Sequence, residues 1–94
     1  MRPDLPVGVQ AAQITHAAGE SSPGNLPGGT YAVVLTAVPH TLLELEQKLK
    51  TSDVAFTAIR ENGGEWDGEL MAIGVMPGRR SMLKKHFSSL PLLR

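Results

Sequence analysis

Gln13, His16 and Glu61 are the residues of this 94-residue chain best suited by type and setting to move a proton or orient a reacting group. Gln13 and His16 sit among small alanines in "RPDLPVGVQAAQITH", and Glu61 opens the segment "ENGGEWDGE". An imidazole exchanges protons near neutral pH, and a carboxylate can act as a general base on water. Each residue also has a plainer use. Gln13 serves equally as a surface or capping amide, His16 as a packed structural side chain, and Glu61, Glu65 and Glu69 as solvated charges. Those three carboxylates would repel phosphate unless paired or metal-bound. Oxygen donors suit magnesium or calcium, yet the loop lacks EF-hand spacing and His16, His40 and His86 are dispersed. No metal or other cofactor is therefore expected. Trp66, the sole tryptophan, could stack on an RNA base or anchor its own loop or a subunit contact by burying its ring. Arg79 and Arg80 are the best candidates to meet phosphate.

The elements that must position these residues follow from periodicity. Pro3 and Pro6 place a helix start near residues 6–8. From there Val7, Ala11, Ile14 and Ala18 repeat at 3.6 residues and form the expected inward face, with Val9, Gln13, His16 and Glu20 on another side. "SSPGNLPGG" reads as a loop, and the continuous apolar run "TYAVVLTAV" as a buried strand. After Pro39, Thr41 and Glu44 have capping-box spacing. Leu42, Leu45 and Leu49 make that helix's inward stripe, while Glu44 and Lys48 form an i,i+4 pair. "VAFTAI" and "LMAIGVM" are the next strands, joined by a loop in which Gly63 and Gly64 fit a tight turn. Met71, Ile73 and Val75 belong to the core. Residues 81–87 read as a helix, and Pro91 limits the closing "LPLL" to an edge strand. The order predicts one α/β domain over residues 1–94, a small mixed-sheet sandwich with helices on both faces and four or an incomplete five strands.

Composition narrows the function classes. No cysteine is present, which removes disulfides, thiolate metal sites and a cysteine nucleophile. No apolar run approaches the roughly 20 residues that span a bilayer, and no signal-peptide core opens the chain, so a cytoplasmic location without membrane contact is expected. The zero formal charge hides an asymmetry. All nine acids fall before Leu70, whereas Arg79, Arg80, Lys84, Lys85 and Arg94 follow it with no acid among them. Such a local field can meet a polyanion, or be a solvated helix face.

The motifs "RPDL", "GVQAAQITHAA", "VAFTAIRENGGEWDGELMAIGV" and "HFSSLPLL" together resemble the archaeal and eukaryotic type, or type 2, of peptidyl-tRNA hydrolase. The closing motif is similar to a divergent bacterial and phage branch of that family. The resemblance covers nearly the whole chain. It implies hydrolysis of the ester joining a peptide to tRNA, with Gln13 and His16 at the positions of the early motif and Glu61 where the family commonly has an active-site aspartate. It also marks departures. Val9 occupies the family's lysine position, and Glu65 and Glu69 replace threonines. A strand usually precedes the arginine–aspartate–leucine region, whereas only Met1 precedes Arg2 here, which suggests a homodimer completing an open sheet edge. Two classes are thus expected: a peptidyl-tRNA hydrolase compromised by Val9, or a catalytically weak or inactive relative that binds tRNA or protein.

Overall fold

Alanine-rich, leucine-rich and β-branched stretches sort into helices and strands as their propensities require. The computed structural model describes residues 1–22 and 32–93. Among them the order is α1 (Val7–Ser21), α2 (Pro39–Lys50), β1 (Phe56–Arg60), β2 (Leu70–Val75) and α3 (Arg80–Phe87). The result is a small α/β fold whose regular sheet has two antiparallel strands and does not close into a barrel. No described helix is long and apolar enough to cross a membrane.

The hairpin uses both of its faces. Ile59 lies opposite Ala72, and Ala58 opposite Ile73. Side chains alternate along a strand, so these two pairs point in opposite directions. Ile59 and Ala72 join Ala17 of α1, Met1, Leu5 and Met71 in one buried cluster. Ala58 and Ile73 pack instead on a cluster of Ala37, Leu70 and Leu42 of α2. Arg60 pairs with Leu70 rather than Met71, so Met71 is the extra residue of a bulge. The bulge lets Met71 and Ala72 face α1 in succession while Leu70 turns to α2. Met71 is fully buried; Ile73 and Val75 are half-buried.

The expected inward face of α1 is wrong except at Ile14. Val7 is 81% exposed, Ala11 and Ala18 are exposed, and the buried positions are Gln13 and Ala17, with Val9 packed on the same cluster. Steric fit outweighs hydrophobic periodicity here. A Cβ added to Gly74 of β2 would lie 2.3 Å from the Ala17 carbonyl oxygen, so α1 rests almost directly on the strand backbone. At that point of closest approach α1 carries the small residue Ala17.

The capping box at Thr41 is also corrected. α2 begins at Pro39 with Val38 as N-cap and no side-chain cap. Proline suits the first helical position because its fixed φ is helical and its missing N–H needs no partner there. Glu44 lies 3.7 Å from His40, the neighbour one turn earlier, and forms no ion pair with Lys48 among the described residues. Leu42, Leu45 and Leu49 are buried as expected.

The start of "TYAVVLTAV" and most of the preceding loop lie outside the described residues. From Ala32 onward the segment is extended but not a regular strand, with one antiparallel bridge between Leu35 and Leu92. It lies between two short partners. On one side the Met1 amino group donates to the Leu35 carbonyl at 3.3 Å and the Ala37 N–H to the Met1 carbonyl at 3.0 Å. On the other, Thr36 N–H donates to Pro91 and Leu93 N–H to Val34, at 2.8 and 2.9 Å. The Arg2 N–H reaches the Met71 carbonyl at 3.3 Å and links this group to β2. Pro91 has no N–H to extend the pairing into a ladder.

An ion pair between the buried Glu46 and the exposed Arg60 ties α2 to β1. Both terminal nitrogens of Arg60 donate to the two carboxylate oxygens of Glu46 at 2.7 Å. Glu46 is 2% exposed. The Arg60 hydrogen bonds hold its carboxyl below the ordinary value of 4.5 against the opposing effect of burial. The pair's stabilisation is therefore complete above that value and lost as pH falls through the lower folded-state value. In Arg60→Met the sign reverses, because burial then dominates and pushes the Glu46 carboxyl up. Urea unfolding should show Arg60→Met destabilised by about 3 kcal/mol at neutral pH, at the low end for a broken buried pair, because the Arg60 side chain is 44% exposed. The deficit should shrink as the medium is acidified. A deficit that grew in acid would disprove this assignment.

Candidate active site

The loop joining β1 to β2 is closed by its own backbone. Gly68 N–H donates to the Glu61 carbonyl at 2.8 Å, and Glu61 N–H to the Glu69 carbonyl at 3.1 Å. Gly63, Gly64 and Gly68 adopt φ of 87°, 75° and 78°, the left-handed region that glycine enters without penalty. The Asp67 carboxylate accepts the Gly63 N–H at 2.6 Å and fixes the turn. Trp66 is half-buried against the α1 cluster, so its ring anchors the loop. Of its two expected uses, the structure displays the anchoring one.

This closure sets Glu61 beneath α1. Gln13 Nε2 donates to Glu61 Oε2 at 3.1 Å, across 48 positions of sequence. Glu61 Oε1 accepts the Asn62 N–H at 3.3 Å. Gln13 is 7% exposed, and its Oε1 is buried without a hydrogen-bond partner. The surface amide among its expected roles is thereby excluded. Gln13 thus orients the Glu61 carboxylate, a group of the type that can serve as a general base.

His16 does not join this pair. Its side chain is 66% exposed, with Nε2 at 3.8 Å from Glu20 one turn further along α1. It is not a packed structural histidine either. Glu65 is exposed and makes no contact with a charged side chain among the described residues. Glu69 is occupied: Arg2 donates to it at 2.8 Å. Arg79 and Arg80 stand at the opposite end of the hairpin, beyond β2, whose six residues span about 17 Å.

Arg2 is the site residue that sequence reasoning passed over. Arg2 is 5% exposed, and its guanidinium also donates twice to Asp4, at 2.6 and 3.1 Å. These hydrogen bonds, with Asp4 first and Glu69 second, push Arg2 above its already high ordinary pKa, and Arg2 in turn holds the Asp4 carboxyl down. The signal was present in "RPD", where an arginine and an aspartate two positions apart can close a fork. Arg2 is held by two of the carboxylates at this end, Asp4 and Glu69. Val9, packed in the core one helical turn before Gln13, adds no charge. Among the described residues no group of three histidine, aspartate or glutamate side chains is placed to hold a metal ion.

In comparisons with known proteins, no family model, curated protein or solved structure matches this chain.

A double-mutant cycle of Gln13→Ala and Glu61→Ala, followed by urea unfolding, should give a coupling of about 1 kcal/mol, as for a hydrogen bond to a half-buried carboxylate. His16→Ala in the same assay should change stability by less than about 0.5 kcal/mol. Additive Gln13 and Glu61 effects would mean that the contact contributes nothing.

Proposed function

We propose that this chain is a type 2 peptidyl-tRNA hydrolase-like domain that cleaves the peptide–tRNA ester slowly, with Glu61 as general base. The carrying observation is the convergence of Gln13 and Glu61, the two positions that match the family's early motif and strand-end carboxylate. In this reading Gln13 orients the carboxylate, and Glu61 takes a proton as water adds to the ester carbonyl carbon. The C–O bond to the ribose then breaks, and the proton passes to the departing ribose oxygen. Peptide acid and free tRNA result.

Slowness follows from the charges. An oxyanion developing on the carbonyl needs a preorganised donor. Val9 supplies none, and Arg2 is held by Asp4 and Glu69. The finer fold assignment, a mixed sheet with the family's helices on both faces, belongs to the same proposal. It draws support from the hydrogen bonds that align residues 1–2, 34–37 and 91–93 beside the hairpin. A cytoplasmic homodimer belongs to the proposal as well; for the dimer, the support is that β1 pairs along one edge only among the described residues. A second reading is a relative that binds tRNA or protein without turnover; the acidic excess around Glu61, which repels phosphate, favours its protein-binding form.

Purified protein incubated with intact peptidyl-tRNA, with tRNA binding and peptide release both measured, separates the readings. Slow release is expected. Glu61→Gln should lower it by about a hundredfold, the modest end of general-base contributions, Val9→Lys should raise it, and His16→Ala should leave it nearly unchanged. Binding without release in every variant would favour the second reading. Absence of both would reject the tRNA function.

A further inference from the structure

The geometry points to the groove beside α3 as a docking site for an acidic, amphipathic peptide segment of a partner protein. α3 buries none of its own residues. Between it and the chain at residues 53–55 and 76–78 runs an open groove of about 460 Å³. Its walls carry Met76 and Met82, 47% and 62% exposed, beside Val54 and Leu83. This apolar surface lies away from the Gln13–Glu61 pair, past the far end of β2, so it is no part of the site described above.

Cations outnumber acids around the groove: Lys85 lines it, and Arg79, Arg80 and Lys84 adjoin lining residues in the chain. Arg79 and Arg80 stand at the start of α3 and Lys84 and Lys85 near its end, all exposed. None forms an ion pair among the described residues. Asp53 is the single carboxylate in the lining. Arg80 and Lys84 are one turn apart on the same side of the helix, as are Ser81 and Lys85. A partner segment with acids along one edge and apolar side chains along the other would meet this basic rim and apolar wall together.

A peptide fits better than a nucleic acid. Exposed methionines adapt their thioether chains to apolar partners, whereas phosphates gain nothing from an apolar wall. Single-stranded RNA binding also relies on exposed rings for base stacking. The aromatic ring of α3, Phe87, is half-buried and set edge-on to His86 at 6.0 Å. Trp66 belongs to the loop at the other end.

The test is fluorescence anisotropy with three labelled probes of about twelve units each, long enough to lie along such a groove. One is a peptide with glutamates and leucines at helical spacing, one a peptide of glutamates alone, and one a uridine oligonucleotide. The glutamate–leucine peptide should bind at least about tenfold more tightly than either control. Met82→Gln and the double variant Lys84→Glu/Lys85→Glu should each weaken it by about tenfold. These positions are exposed, and circular dichroism would confirm that both variants keep the fold. Equal or tighter binding of the glutamate-only peptide or the oligonucleotide would overturn the proposal. So would peptide binding indifferent to Met82→Gln, or no binding at all.

Discussion

The approach of α1 to β2 at Gly74 is the contact on which the rest of the structure depends. With no side chain at that position, the Ala17 carbonyl and the Ser21 hydroxyl occupy space that a Cβ would claim. The helix can then settle onto the strand, and its rotation is fixed about the Ala17 face. One turn back from Ala17 that face carries Gln13, and one turn further Val9. Gln13 is therefore carried inward to Glu61, while Val7, Ala11 and Ala18, the more regular apolar stripe, face solvent. A polar residue is buried because the backbone fit demands it, and the Glu61 hydrogen bond offsets part of the cost of burying it.

The opposite face follows a more ordinary logic. Leu42 of α2 buries against Leu70 and Ala37, and Glu46 with Arg60 supplies a directional link between α2 and β1. The bulge at Met71 joins the two halves of this arrangement. It keeps Met71 and Ala72 in the α1 cluster while turning Leu70 to α2, and it adjoins the end of β2 from which the Glu61 loop departs. Charge is divided along the same axis. Carboxylates gather around the loop, with Arg2 as their internal counter-ion, and cations gather at α3. The molecule thus has one end rich in carboxylates and another rich in cations.

Much of this was legible in residue order. Proline positions marked where α1 and α2 begin, leucine spacing identified the buried stripe of α2, and the glycine-rich loop between two apolar runs announced the hairpin. Gln13 and Glu61 were selectable by the motifs they occupy. Other features could not be read that way. Which face of α1 turns inward depends on Gly74, some 57 positions from Ala17, and no local period reports such a distant steric fit. The partnership of Arg2 with Glu69 spans 67 positions and rests on loop closure. His16 was singled out by type, yet its side of the helix is set by the same distant glycine, which leaves it in solvent. The apolar run through Leu35 promised a strand, but backbone pairing depends on distant partners, and Pro91 beside its bridge partner Leu92 has no N–H to give.

The most direct test of this account is the stability of Gly74→Ala measured by urea unfolding, because the alternatives differ in sign. Replacing a strand glycine normally helps, by about 0.5–1 kcal/mol, since alanine loses less backbone freedom on folding. If α1 rests on the strand as described, the added methyl must force helix and sheet apart. The variant should then lose about 1–3 kcal/mol, as expected for overpacking. A neutral or stabilised Gly74→Ala would contradict the close seating of α1, and with it the placement of Gln13 on Glu61.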